Sequence, residues 1–204
     1  IYETDVNGNR TDSTVFKKRA NVKSYGGLEP RLTLRYSVSE TTSLKASVTR
    51  NLQYIHLVSN AGTTLPTDLW VPSTYKVKPQ LSWLYAAGMF KNFKNNMFET
   101  SLEVYFKDMQ NQIEYREGYT PNTINDTEND FVFGKGWSYG SELFVNKVKG
   151  KFTGWVGYTL SWTWRKFPAL NFGEKYPAKY DRRNDLSIVA MYKLSDRWKL
   201  AATF

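Results

Sequence analysis

The sequence has no cysteine and only one histidine, His56, among its 204 residues. It can therefore form neither disulfide bonds nor thiolate metal sites, and a histidine-based metal cluster is not expected. It also has no run of about 18 or more apolar residues, which a membrane-spanning helix requires. No basic segment followed by an apolar stretch opens the chain, so any signal peptide has been removed or lies upstream.

Aromatic residues are abundant, at 16% of the chain with 7 Trp, 14 Tyr and 12 Phe, although the mean hydropathy is −0.55. A disordered chain lacks such an aromatic content. The net charge is +9, from 28 basic and 19 acidic residues. The basic residues are scattered singly and form no motif that reads DNA or RNA, and attraction to an anionic membrane surface suits them equally well. We therefore predict no nucleic-acid partner.

From Leu28 onward, the dominant pattern is an alternation of apolar and polar residues with a period of two, which is typical of strands with one apolar and one polar face. Segments 78–91 and 132–147 alternate less cleanly, and consecutive Trp83, Leu84 and Tyr85 blur the assignment of faces. Many of these runs are about ten residues long, the length that a tilted strand needs to cross a bilayer. A soluble β-sandwich is the alternative, but its strands are usually shorter and carry fewer Trp and Tyr near the ends of the apolar face. The eight predicted strands lie near residues 28–38, 44–49, 78–91, 98–107, 132–147, 152–164, 185–193 and 198–204.

The connections between these strands alternate between short and long. Tight turns are expected at 39–42, 92–96, 148–151 and 195–197, and long connections at 52–75, 109–131 and 167–183. Short periplasmic turns and longer extracellular loops are the rule in outer-membrane barrels, whereas long structureless loops are uncommon in compact soluble domains. The sequence thus predicts an all-β fold, an antiparallel transmembrane β-barrel.

The same alternation places both chain ends on or toward the extracellular side, whereas intact bacterial barrels keep both ends in the periplasm. We therefore expect the eight strands to be part of a larger barrel, and the first 27 residues to be the tail of an outer loop. For orientation, we expect lipid contact from Leu34, Val104, Leu160 and Ile188. The residues expected to face the lumen are Thr33, Glu103, Thr159 and Ser187.

Candidate binding residues lie in the long connections. Asp126, Glu128 and Asp130 are weak candidates for holding Ca²⁺ through oxygen ligands, but the Gly and distal Glu of an EF-hand loop are absent and a solvated acidic loop is the simpler interpretation. Aromatic residues there could stack on a ligand, pack loop on loop or form an upper girdle, and His56 suits ligand contact or a structural role. The predicted ligand-contact residues are Tyr54, His56, Trp70, Tyr115, Tyr119 and Tyr180.

No catalytic constellation is visible. Glu99 and Glu103 share a strand face, but a spacing of four residues separates them by about 13 Å, too far for one reaction centre. There is no Ser/His/Asp set, no phosphate-binding glycine loop and no H-E-x-x-H motif. We predict that the chain is not an enzyme and carries no cofactor or metal.

Several stretches resemble the C-terminal barrel of TonB-dependent outer-membrane receptors, over nearly the whole chain. Among these receptors, the chain is most similar to a group that carries a carboxypeptidase-regulatory-like N-terminal domain ahead of the plug. That group usually has His where this chain has Asn184. The stretches are Tyr25–Arg31, Arg50–Leu57, Leu65–Pro72, Phe133–Gly140, Gly154–Thr159 and above all Tyr176–Ser187.

The resemblance implies that residues 1–204 are part of one outer-membrane barrel domain of about 22 strands closed around a plug. The receptor would import a scarce solute with energy delivered through TonB. Expected partners are outer-membrane lipid and lipopolysaccharide, the protein's own plug and remaining strands, the TonB complex and, as a further candidate, a surface lipoprotein. The alternative is a small independent barrel that acts as an adhesin, structural protein or passive pore. The resemblance does not distinguish between an iron chelate, cobalamin, a glycan and a peptide as the imported solute.

Overall fold

The computed structural model describes residues 2–4, 10–13, 17, 21–58, 69–118 and 127–204. Among these residues no helix is long and apolar enough to span a bilayer. Short 3-10 turns occur at Thr127–Asp130 and Asn171–Gly173. The strands are β1 (Tyr2–Thr4), β2 (Arg10–Ser13), β3 (Arg31–Ser39), β4 (Thr42–Gln53), β5 (Ile55–Val58), β6 (Leu69–Pro72), β7 (Gln80–Phe93), β8 (Phe98–Tyr115), β9 (Phe131–Lys147), β10 (Phe152–Lys166), β11 (Tyr176–Pro177), β12 (Asn184–Lys193) and β13 (Lys199–Thr203).

Eight of these strands form one antiparallel meander in the order β3-β4-β7-β8-β9-β10-β12-β13, which we call the wall. These are the eight strands that the sequence predicted. Any two of them that are adjacent in the wall also follow one another along the chain, when only these eight are counted. No pairing between described residues joins β3 to β13, so the wall is open at both edges. This arrangement confirms the predicted all-β, antiparallel architecture.

The wall has two different ends. Its turn end carries the short connections β3–β4, β7–β8, β9–β10 and β12–β13. In the β7–β8 connection, Lys94, Asn95 and Asn96 all adopt positive φ angles of 49–58°. Asn tolerates this left-handed conformation better than most residues, which lets the chain reverse tightly. The outer end carries the long connections.

The long connections contain more structure than the alternation alone suggested. β5 and β6 form a separate antiparallel hairpin, called the outer hairpin, and β11 adds two residues to the edge of β10. β8 continues to Tyr115 and β9 begins at Phe131, so part of the predicted second long connection is strand. In the first 27 residues, β1 and β2 pair with each other and lie outside the wall.

The pairing register sorts the wall residues onto two faces, because residues directly opposite each other across strands share a face. Leu34, Val104 and Leu160 lie in one continuous row with smaller residues between them, which runs Leu34, Ala46, Ala87, Val104, Ser141, Leu160. Ile188 pairs with Val156 on the same face. We call this the apolar face, and its residues are those predicted to contact lipid.

The opposite face, called the polar face, carries Thr33, Glu103, Thr159 and Ser187 as the alternation predicted. One of its rows runs Arg35, Lys45, Gly88, Glu103, Glu142, Thr159, Asp185. An added Cβ at Gly88 would lie 2.6 Å from Cγ of Glu103, so the glycine makes room for this carboxylate side chain.

Apolar side chains are buried mainly at the outer end. Val58 in the outer hairpin is 1% exposed, and it belongs to a cluster with Val71, Val77, Ile113 and Phe131, which we call the outer cluster. Leu34 on the apolar face is 62% exposed. Among the described residues, the wall thus has no hydrophobic core of its own, whereas the outer hairpin packs against the end of β8 around a small hydrophobic core.

Candidate functional site

The outer end of the wall extends well past the part that a bilayer would cover. β8 has 18 residues, which at about 3.3 Å per residue and a 45° tilt rise roughly 42 Å, against a hydrocarbon layer of about 30 Å. Residues near Tyr115 therefore lie beyond the hydrocarbon layer if the turn end lies at its other boundary. The long connections and the strand ends beneath them are therefore the part of this chain that is predicted to meet a solute from outside.

His56 lies in the outer hairpin opposite Val71 and is fully buried. Its Nε2 lies 3.0 Å from Oγ of Ser73, and its Nδ1 has no hydrogen-bond partner among the described residues. Burial lowers the pKa of His56, because a charged imidazolium would lose its hydration. The residue is therefore a neutral interior group in this conformation, and direct contact with a solute would require the hairpin to open.

The other predicted aromatic residues separate into two kinds. Tyr115 packs against the outer cluster, with its ring centroid 5.2 Å from that of Phe131. In contrast, Trp70 is 65% exposed and Tyr180 is 74% exposed, and Tyr54 at the base of the outer hairpin is also exposed. Tyr119 lies outside the described residues. Three aromatic groups of the predicted set are thus available at the surface.

The structure brings Tyr54, His56 and Trp70 together in one hairpin but places Tyr180 on the connection between β11 and β12. The backbone N–H of Ser73 donates to the Tyr54 carbonyl at 2.7 Å, which closes the hairpin base. The ammonium group of Lys179 lies 5.4 Å from the Tyr180 ring centroid. The predicted residues therefore form one local group and one separate position.

Two of the three acidic candidates, Glu128 and Asp130, lie within the described residues, in one 3-10 turn. Asp126 lies outside the described residues, and Asp130 is an almost buried partner of Arg116, whose Nη2 lies 2.7 Å from its Oδ1. Within the described ranges, no group of three or more His, Asp or Glu side chains is arranged to hold a metal ion. Asp130 is better explained as a structural anchor for the end of β8.

A group of polar residues that the alternation did not single out lies on the polar face near the outer end. Oε1 of Glu114 lies 3.7 Å from Nη1 of Arg165, and Arg165 pairs with Tyr176 of β11. Lys179 is close enough to act on the charge of Glu114. We call Glu114, Arg165, Tyr176 and Lys179 the outer polar group.

The electrostatics of the outer polar group are dominated by burial. Burial raises the pKa of Glu114, and the nearby charges of Arg165 and Lys179 oppose this effect. Burial, and then the charge of Glu114, raises the pKa of Tyr176 to about 12, while Arg165 acts in the opposite direction. Tyr176 is therefore a neutral hydrogen-bonding group at ordinary pH, beside a partly desolvated ion pair.

A β-bulge explains why regular alternation does not find Glu114. The register between β8 and β9 shifts between Met109 and Gln112, and Asn111 adopts a φ of 54°. One inserted residue exchanges the two faces of the strand beyond it. Gln112 and Glu114 thereby join the polar face, where Nε2 of Gln112 donates to Oε1 of Gln80 at 3.2 Å. Ile113 and Tyr115 turn to the outer cluster instead.

Two glycines on β9 make space for the outer polar group. An added Cβ at Gly134 would lie 2.5 Å from the Lys166 carbonyl oxygen and 2.6 Å from the Phe167 ring. At Gly136 it would lie 2.9 Å from the Trp164 carbonyl oxygen. Because no side chains stand there, Glu114 reaches across β9 to Arg165. The sequence Gly-Lys-Gly at 134–136 was the only visible hint of this close approach.

Comparisons with known proteins identify the family. The family model for the TonB dependent receptor-like β-barrel matches residues 2–204. No curated protein matches the sequence. A similar solved structure is the FpvAI–pyocin S2 complex, with a TM-score of 0.62 and 16% identity over 96% of this chain and 24% of that one.

Another similar solved structure is the ferripyoverdine receptor of the outer membrane of Pseudomonas aeruginosa bound to ferripyoverdine, with a TM-score of 0.60 and 17% identity over 88% of this chain and 22% of that one. The chain thus spans about a quarter of the length of the structures that it resembles. At this identity the likeness shows the fold alone, and the family match supplies the assignment. The chain therefore belongs to the TonB-dependent receptor family, as part of the β-barrel that such receptors form in the outer membrane of Gram-negative bacteria.

Proposed function

We propose that this chain forms part of the barrel wall and outer surface of a receptor that imports a scarce solute by TonB-dependent energy coupling. The observation that carries the proposal is the outer polar group, which lies on the polar face at the outer end of the wall. A partly desolvated ion pair beside a neutral tyrosine offers a solute both charged and uncharged hydrogen-bonding partners. The apolar face would contact lipid, and the polar face the lumen and plug.

Exposed aromatic residues supply the second part of the proposed contact surface. Tyr54, Trp70 and Tyr180 present flat apolar rings with polar edges, which suit stacking on a ligand. His56 and Tyr115 would act indirectly, by supporting the outer hairpin from its interior side. Tyr119 remains a candidate contact by prediction alone.

A ferric chelate is the first solute to test, because similar solved structures contain pyoverdine-type ligands. Cobalamin, a glycan or a peptide are the alternatives. We further propose that residues 1–204 lie within a single barrel domain, that the complete protein carries a plug and a carboxypeptidase-regulatory-like N-terminal domain, and that TonB and a surface lipoprotein are its partners.

The decisive experiment measures uptake of labelled ferric chelate, cobalamin, oligosaccharide and peptide by cells with and without the complete receptor gene. We expect one of these solutes to be taken up only by cells that carry the receptor. This uptake should disappear when tonB is deleted. Arg165→Gln should then reduce uptake severalfold, because it removes the cation of the outer polar group. Arg35→Gln, on the same face in the row of Glu103, is the matched control and should have a smaller effect.

Two results would contradict the proposal. Uptake that persists unchanged without TonB would favour the passive pore. Equal uptake by the Arg165→Gln variant and the parent, at equal surface abundance of assembled receptor, would remove the outer polar group from the solute path.

A further inference from the structure

Three lysines occupy neighbouring positions at the outer end of the apolar face. Lys135 of β9 and Lys166 of β10 are directly paired across the two strands. Lys175 immediately precedes β11, and its ammonium nitrogen lies 4.9 Å from the ring centroid of Trp164. All three side chains are exposed. We call Lys135, Lys166 and Lys175 the lysine triad.

The lysine triad is an uncompensated positive charge. Like charges directly opposite each other in a sheet are destabilising, and none of the three ammonium groups forms an ion pair with a described residue. Asp108 occupies the next row of the face, opposite Trp137, and its Oδ2 accepts a hydrogen bond from Gln110 at 3.1 Å. Among the described residues, the sheet therefore keeps three cations close together without an ion-paired carboxylate.

The neighbouring cations of this rim differ from the triad. Arg183 lies 5.1 Å from the Trp162 ring centroid but is paired with Asp181 at 3.2 Å. Arg50 lies 6.0 Å from the Trp83 ring centroid and donates to the Leu28 carbonyl at 2.5 Å. Protein groups thus already hold the two arginines, whereas no described residue forms an ion pair with the lysine triad.

Directly beside the lysine triad is a band of aromatic side chains on the same face. Trp137 pairs with Trp164 in the row next to Lys135 and Lys166. The following row contains Tyr139 and Trp162, whose rings are stacked with centroids 5.3 Å apart. Trp and Tyr are enriched at the level of lipid headgroups in membrane proteins. The triad therefore lies at, or just outside, the headgroup level of the outer leaflet.

We propose that the lysine triad binds the phosphate of a phosphorylated lipid in the outer leaflet around the receptor. The three ammonium groups would surround the phosphate, while the acyl chains lie along the Trp137 and Trp164 rings and the apolar face beyond them. Basic residues near a membrane surface attract anionic headgroups in this way. The inference rests on the proposed function in one respect, that the apolar face contacts lipid.

The test uses the complete receptor in mixed micelles, with diphosphorylated lipid A as the probe and its dissociation constant as the readout. Changing Lys135, Lys166 and Lys175 together to Gln should weaken binding by roughly 100-fold, about fivefold for each lysine. The matched control changes Lys91, Lys94 and Lys147 to Gln. These lysines lie at the turn end, each within 5.8 Å of a Phe ring centroid, and their removal should leave lipid A binding within about twofold.

A second measurement separates a binding role from a structural one. Without phosphorylated lipid, Lys166→Gln alone should leave the receptor at least as resistant to heat as the parent, because it relieves the like-charge contact with Lys135. With lipid A present, the same variant should gain less thermal resistance than the parent. Replacing all three lysines by Arg should preserve binding.

Three outcomes would overturn the proposal: unchanged lipid A affinity in the triple Gln variant, an equal loss in the turn-end control, or competition by inorganic phosphate at the concentration of lipid A. Solute uptake by the triple Gln variant distinguishes this inference from the proposed function. Loss of lipid A binding with unchanged uptake would support the triad alone, and unchanged lipid A binding with unchanged uptake would refute the triad and leave transport standing.

Discussion

Leu34 in the wall is 62% exposed, whereas Val58 in the outer cluster is 1% exposed, although both are aliphatic residues of β-strands. The wall leaves a continuous apolar face uncovered, which suits a bilayer as its solvent. The outer cluster buries its apolar side chains against protein, as water-soluble domains do. One chain thus follows two rules of burial, and the difference supports the proposed contact of the apolar face with lipid and of the outer end with water.

The largest expected effect concerns the outer cluster. Phe131→Ala should lower the free energy of opening of the outer hairpin by about 3–5 kcal/mol, because it removes a large buried side chain and leaves a cavity. Hydrogen exchange of β5 and β6, compared with that of β10 in the same receptor, measures this effect. Phe133→Ala is the control, since Phe133 is 39% exposed on the same side of the same strand. Equal effects of the two substitutions would contradict the burial contrast.

The wall should respond to charge on its apolar face instead. Leu34→Arg should destabilise the membrane-inserted barrel by about 2–4 kcal/mol if the position is near the bilayer midplane, whereas Thr33→Arg on the polar face should cost much less. A refolding titration into lipid vesicles measures both. If the two variants refold equally well, the assignment of the apolar face to lipid is wrong.

A smaller effect is expected from pH, and only in the outer hairpin. Burial lowers the pKa of His56 below its ordinary value of 6.5, so the unfolded or opened state binds a proton more readily. The stability of the hairpin should therefore be complete above pH 6.5 and decline as the pH falls below that value. Hydrogen exchange at several pH values, corrected for intrinsic exchange rates, measures the trend, and His56→Gln should abolish it. A hairpin that becomes more stable on acidification would contradict this explanation.

The smallest effect on stability is expected at the exposed aromatic residues. Trp70→Ala and Tyr180→Ala should each change stability by no more than about 0.5 kcal/mol, because neither side chain is buried. Both should nevertheless reduce solute uptake if they contact the ligand. Thermal unfolding and uptake, measured on the same preparations, separate the two properties. Full uptake by both variants would remove these residues from the proposed contact surface.

Periodicity was sufficient for the wall. A strand with one face in lipid and one face in a polar lumen must alternate, so Leu34 and Thr33, or Val104 and Glu103, carry their orientation in the residue type itself. The same reasoning located the eight wall strands and the change from short to long connections, although the consecutive Trp83, Leu84 and Tyr85 hid the two faces of β7. The motif from Tyr176 to Ser187 added the family, which the comparisons confirm.

Alternation alone was not sufficient for the outer polar group, because its formation depends on a bulge and on contacts between distant strands. The inserted residue near Asn111 exchanges the faces of β8, so Glu114 lies on the side that simple alternation would give to Ile113. The ion pair with Arg165 joins positions about fifty residues apart across a strand that carries glycine at 134 and 136. The composition of a segment does not encode such contacts.

The sequence by itself determined the strand wall, its two faces and its membership of a receptor family, because each of these follows from local alternation or from a local motif. Only the tertiary structure decided that His56 and Tyr115 are interior groups, that Glu114 meets Arg165, and that Lys135, Lys166 and Lys175 share one rim. The physical reason is that burial and charge compensation depend on which residues the pairing register places opposite one another, and a single inserted residue changes that register.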